Sequence, residues 1–134
     1  MRKQSLPVFE QPPGPGGPDV KRLQLPQGDL AQFWTSDTGI RYIAWVEMVE
    51  GGIRGNHLHQ RKEEWIYLID GAIEVIVEDP GSKERAVVPV APGDLLVIDP
   101  GVAHALRTLR AGQGIEFSPT RLDLSDSAPY PLVG

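Results

Sequence analysis

The sequence predicts an all-β protein, an antiparallel sandwich or barrel built as a single domain. From Val20 onward, short runs rich in β-branched and aromatic residues follow one another, each closed by Gly, Pro, Asp or Asn. No stretch keeps a 3.6-residue apolar period for the length of a helix. With 134 residues, 40% of them hydrophobic, the chain has room for one ordinary core and lacks the composition of a disordered chain.

Residues 1–19 read as a flexible Pro/Gly-rich arm. Residues 11–18 contain four prolines, which donate no backbone hydrogen bond, and three glycines, which resist ordering. Strands are expected over Val20–Leu25, Leu30–Ser36, Ile40–Glu50, Gly55–His59 and Glu64–Ile69. Further strands follow over Ala72–Glu78, Arg85–Val90, Asp94–Ile98, Ala103–Leu109 and Gly114–Ser118. Asp70-Gly71, Asp79-Pro80-Gly81, Ala91-Pro92-Gly93 and Asp99-Pro100-Gly101 have the chemistry of tight turns between them. After Pro119 the chain turns polar and proline-containing, so residues 119–134 read as a surface tail with at most one short turn.

Composition limits the function. A formal charge of -5 disfavours nucleic acid or an anionic membrane as the main partner. The absence of cysteine excludes disulfides and thiolate metal sites, so a metal here needs His, carboxylate, carbonyl or water. The N-terminal Met1–Pro7 carries charge without an apolar stretch behind it, and no apolar run is long enough to span a bilayer. The expectation is a soluble, cytoplasmic protein acting on a small molecule.

The chain's three histidines carry the chemistry. His57 and His59 lie two apart, so an extended strand points both to one face. Glu64 follows across a short polar turn at the head of an alternating strand, where folding back brings its carboxylate to the imidazoles. His104 comes directly after the Asp99-Pro100-Gly101 turn. Imidazoles with one carboxylate suit Fe, Mn, Ni, Co or Zn and match Ca or Mg poorly. Three neutral His and one Glu leave a net positive centre with coordination positions open, the layout of a working site.

These residues resemble the cupin superfamily. Its first motif, G-x5-H-x-H-x3–4-E-x6-G, is met by Gly51, His57, His59, Glu64 and Gly71. Its second, G-x5-P-x-G-x2-H-x3-N, is met by Gly93, Gly101 and His104. There the proline is displaced to Pro100 and the final Asn replaced by Thr108. The resemblance covers residues 40–118 and implies a jelly-roll barrel over residues 20–118. It also implies one divalent transition metal on His57, His59, Glu64 and His104, and a homodimer. The motif spacing admits Glu63 as a rival to Glu64, but Gly71 then falls at the wrong distance.

Arg54-Gly55-Asn56-His57 resembles the Arg-Gly-x-His segment of cupin enzymes that epimerise or isomerise nucleotide-linked deoxysugars, where the Arg helps hold an anionic substrate. Arg54 is thus either a substrate-binding residue or an ordinary loop charge. In the metal-free deoxysugar epimerases the His matching His57 is a base, whereas a full ligand set here would occupy it. The favoured reading is a metal-dependent sugar isomerase or epimerase. An Fe(II) dioxygenase and a non-catalytic small-ligand-binding cupin are the alternatives. Trp45, Trp65 and Tyr67 are read as core or dimer-face residues.

Overall fold

A computed structural model describes residues 1–134. In chain order the strands are β1 Arg2–Ser5, β2 Val8–Phe9, β3 Lys21–Leu25, β4 Gly28–Gln32, β5 Tyr42–Met48 and β6 Ile53–His59. They continue with β7 Glu64–Glu78, β8 Arg85–Val90, β9 Asp94–Ile98, β10 Ala103–Ser118 and β11 Ser127–Pro129, with a single 3-10 turn at Leu124–Asp126. The larger sheet runs β1-β9-β7-β10-β6-β11, with β5 also beside β10 and β8 beside β7; β2-β3-β4 form a second, smaller sheet. All pairings are antiparallel except β2 with β3. The all-β, antiparallel jelly-roll expectation holds, although the larger sheet ends at β1 and β11 and does not close into a ring.

Strands β7 and β9 explain why the sheet has no wet face at its centre. Ile66, Leu68, Leu96 and Ile98 point to one side, joining Met48, Val75 and Leu106 in the inner core. Trp65, Tyr67, Leu95 and Val97 alternate to the other side, where Phe117 and Leu6 cover them. Phe33 and Trp34 complete that second layer, stacking on Tyr67 and Trp65 at centroid distances of 4.2 and 3.9 Å. This packing draws them out of a strand, so β4 ends at Gln32 and not at Ser36.

Several boundaries differ from the sequence expectation. Asp70-Gly71 makes no turn: β7 runs straight through it, and β10 likewise spans the expected break between Leu109 and Gly114. The two strands stay paired across register shifts between Thr108 and Gly114, a bulge in which Gly71 has φ +99° and Arg110 donates to its carbonyl at 2.9 Å. A Cβ on Gly71 would lie 2.7 Å from the Arg110 oxygen, so the glycine answers to close backbone approach. The expected arm is in part strand: β1 pairs with β9 through Arg2–Ser5, and Leu6 is buried. Proline content at 11–18 says nothing about residues 2–5, which have backbone donors and an open sheet edge beside them.

The expected tail holds its single turn but also a strand, β11, on the edge of β6. Asn56 fastens it, accepting from the backbone N–H of Leu132 at 2.9 Å and Val133 at 3.0 Å and donating to the Val133 carbonyl at 2.9 Å. No helix is long and apolar enough to cross a membrane.

Candidate metal centre

β6 presents His57 and His59 on one face, and the register of β6 against β10 sets His57 directly opposite His104. A β-bulge at His104/Ala105 accompanies this pairing. Gly55, at φ +87°, lets the strands approach there, since a Cβ on it would sit 2.7 Å from the His104 carbonyl oxygen. Glu64 enters from the first position of β7, which pairs with Ile98 of β9. The four side chains each offer one ligand atom, and these atoms all lie within 4.8 Å of one another.

The turn carrying His59 into Glu64 is held from outside. The Asp126 carboxylate accepts the backbone N–H groups of Gln60, Arg61 and Lys62 at 3.1 to 3.2 Å. Burial pushes that carboxyl up, but these hydrogen bonds and the Arg61 charge outweigh it and hold it below the ordinary aspartate range. The Gly101 N–H donates to the His59 carbonyl at 2.6 Å, tying the turn before His104 to the same strand.

The donor set fits a cation. His104 Nδ1 lies 3.1 Å from the Val102 carbonyl, which places the proton there and leaves Nε2 with its lone pair toward the cluster. That Nε2 faces His57 Nε2 at 3.1 Å and Glu64 Oε2 at 3.0 Å. His59 Nδ1 is buried without a hydrogen-bond partner. Burial, followed by the neighbouring His104 and His59, lowers His57 to about 4, and burial also lowers His59. Both shifts favour the neutral imidazole that a divalent transition metal requires of a histidine ligand. Burial pushes Glu64 up, but its contacts with His104 and Glu116 and the nearby Lys62 charge outweigh it and hold the carboxyl below the ordinary glutamate range.

Beside the four lies a cavity of about 280 Å³. Its polar wall contains residues that sequence reasoning missed. Lys62 Nζ lies 3.0 Å from Glu116 Oε1, 3.7 Å from Glu64 Oε1 and 4.4 Å from the centre of the Tyr42 ring. Burial raises Glu116 to about 7, aided by the charge on Glu64 and a hydrogen bond with it, against the pull of Lys62. The lining also includes Val46, Met48, Leu106, Leu122 and Leu124. The only sequence hint of Lys62 was its place two residues before Glu64; nothing linked Glu116 to either.

Glu63 turns away and accepts from Trp65 Nε1 at 2.8 Å, so Glu64 is the carboxylate that joins the histidines. Arg54 lines the cavity but is exposed, its guanidinium donating to the Glu47 carbonyl at 2.9 Å. Thr108 is buried and does not line the cavity. Trp65 and Tyr67 are core residues, whereas Trp45 is exposed.

The family profile described as Cupin domain matches residues 44–119. The chain belongs to the cupin family. No curated protein matches this cupin in sequence. Among solved structures it is similar to a 3,4-ketoisomerase from Helicobacter canadensis (TM-score 0.71, 15% identity, covering 82% of this cupin and 86% of that chain). It is also similar to ChmJ, a 3'-monoepimerase from Streptomyces bikiniensis solved with dTDP-quinovose (TM-score 0.72, 12% identity, 82% and 66% covered). A third similar structure is the capsular polysaccharide assembling protein CapF from Staphylococcus aureus (TM-score 0.60, 18% identity). This cupin spans only 26% of the CapF chain, with 67% of its own length covered. At these identities the likeness establishes the fold.

Proposed function

We propose that this cupin is a mononuclear-metal enzyme that isomerises or epimerises a small hydroxy-carbonyl compound of the sugar class. The convergence of His57, His59, His104 and Glu64 on the wall of a cavity that also holds Glu116 and Lys62 carries the proposal. A divalent Fe, Mn, Zn, Ni or Co ion fits this donor set and supplies Lewis acidity toward a carbonyl oxygen. The Val102 carbonyl fixes the tautomer of His104, and Asp126 fixes the turn between His59 and Glu64. Because His57 is occupied as a ligand, Glu116 is the group placed to take a proton from the substrate carbon, with Lys62 holding its carboxylate in the cavity. Arg54, at the cavity edge, is proposed as a substrate contact that leaves Glu47 when an anionic ligand enters. The fold shared with a ketoisomerase and an epimerase supports the reaction class.

A complete three-His, one-Glu set suits an Fe(II) dioxygenase equally well in its ligands, and that is the second reading. Elemental analysis of natively purified protein, followed by anaerobic Fe(II) loading, separates the two. Exchange of a carbon-bound proton with D2O over a panel of ketoses and hydroxy-ketones, without oxygen uptake, is the expected result. Oxygen uptake coupled to substrate loss would overturn it.

A homodimer belongs to the same proposal. The edge of β5 away from β10 is unpaired, and Ile43, Trp45 and Glu47 alternate on its exposed face, with exposed Arg41 directly before the strand. Antiparallel pairing with a second copy about Ala44 sets Arg41 against the second copy's Glu47 and Ile43 against its Trp45. Centring on Trp45 would set Ile43 against Glu47, so charge favours the first register.

A further inference from the structure

The cavity lining mixes polar and apolar side chains, and part of it comes from the C-terminal segment, which contributes Leu122, Asp123, Leu124 and Ser127. That segment is not a loose tail. Asp126 holds the N–H groups of residues 60–62, β11 pairs with His57–His59, and Asn56 fixes the backbone of Leu132 and Val133. The chain therefore fixes the two leucines to the same strand and turn that carry the metal ligands.

Both leucines stand in water. Leu124 is 84% exposed and Leu122 57% exposed. Side chains of this size contribute little to folding when left uncovered, yet here a hydrogen-bonded segment holds them in the lining of a cavity that also includes Val46, Met48 and Leu106. An occupant that covers them removes apolar surface from water. A wholly polar occupant leaves the two leucines exposed and gains nothing from them.

We infer that the C-terminal segment is a specificity wall. Through Leu122 and Leu124 it selects ligands that carry an apolar flank, a methyl group or short branched chain, opposite a chelating hydroxy-carbonyl or hydroxy-carboxylate edge. The chelating edge rests on the metal-centre reading above; the apolar flank rests on the cavity itself. A volume of about 280 Å³ lies at the small end for ligand sites, enough for one ring or a short branched body.

Full-length protein loaded with Co(II) tests this, because the visible spectrum of cobalt reports ligand entry directly. The probes are glycolate and 2-hydroxy-4-methylpentanoate, which share a chelating head and differ only by the branched alkyl flank. Wild type is expected to bind the alkylated acid roughly tenfold tighter or more, from burial of a few methyl and methylene groups. Leu122→Ser with Leu124→Ser is expected to reduce that preference to about twofold, while cobalt content stays at the wild-type level. Leu124→Met, which keeps apolar area, is expected to retain it. Leu109→Ser, which removes an exposed leucine that does not line the cavity, is expected to change nothing. Cobalt bound without discrimination between the probes, or a preference that survives the double substitution, overturns the specificity wall alone. A protein that takes up no cobalt overturns the metal centre and the wall's chelating partner with it.

Discussion

Glu116→Gln perturbs the electrostatics of the cavity without removing any of the four clustered side chains His57, His59, Glu64 and His104. Burial and the Glu64 charge raise Glu116 to about 7 in the folded chain, against an ordinary value of 4.5. Between those values the folded protein holds a proton that the unfolded chain has released. The stability due to this group is therefore full below about 4.5 and is lost as pH rises through about 7. A gap of about two and a half pH units sets a ceiling of about 3 kcal/mol. With the side chain 22% exposed, solvent screening brings the realised amount to about 1–2 kcal/mol. The substituted amide cannot ionise, yet it keeps an oxygen for Lys62. His57, lowered to about 4, acts in the opposite sense between about 4 and 6.5, but it is common to both proteins and cancels in their difference. The assay is urea unfolding of metal-stripped protein from pH 5 to pH 8, followed by tryptophan fluorescence. The stability of Glu116→Gln relative to wild type should climb by about 1–2 kcal/mol across that range. A difference that stays flat would refute the cavity electrostatics. Bound metal compensates the Glu64 charge, so the climb should shrink on loading; a climb of unchanged size would show that Glu64 is not its source.

Replacing His57, His59 and His104 together by Ala should reduce bound metal to background by elemental analysis, and unchanged metal content would end the site assignment. Gly55→Ala places a Cβ 2.7 Å from the His104 carbonyl oxygen at φ +87°, and should cost about 3 kcal/mol in chemical denaturation while weakening metal binding. An alanine variant of wild-type stability would mean that the close approach of β6 to β10 is not required. For the β5 dimer, Arg41→Glu should weaken self-association roughly tenfold in sedimentation equilibrium, and adding Glu47→Arg should restore it. A monomeric wild type, or a charge reversal that restores nothing, would rule out pairing about Ala44.

The four converging side chains were readable in sequence because each step depends on local chain geometry. Strand alternation aligns His57 with His59, a short polar turn returns Glu64, and a Pro-Gly turn starts the strand of His104. Alternation likewise announced β7 and β9, whose odd and even residues feed two separate cores. The same local logic misread Asp70-Gly71 as a turn, since a glycine demanded by close approach to Arg110 and Gly112 has the same letters as one demanded by a hairpin. It misread the arm at Arg2–Ser5 because what makes that segment a strand is the open edge of β9.

Lys62 and Glu116 lie far apart in sequence and meet only because β10 runs beside β5 and the head of β7. Leu122 and Leu124 reach the cavity only because Asp126 and Asn56 bind backbone groups of the segments they face, and backbone groups carry no sequence signature. The proposed metal centre is thus specified by local pattern, while the groups proposed to choose its substrate are specified by tertiary contact. A cupin can therefore keep His57, His59, Glu64 and His104 and change its chemistry through Lys62, Glu116, Leu122 and Leu124. Those positions, more than the ligands, are where the reaction of this chain is to be sought.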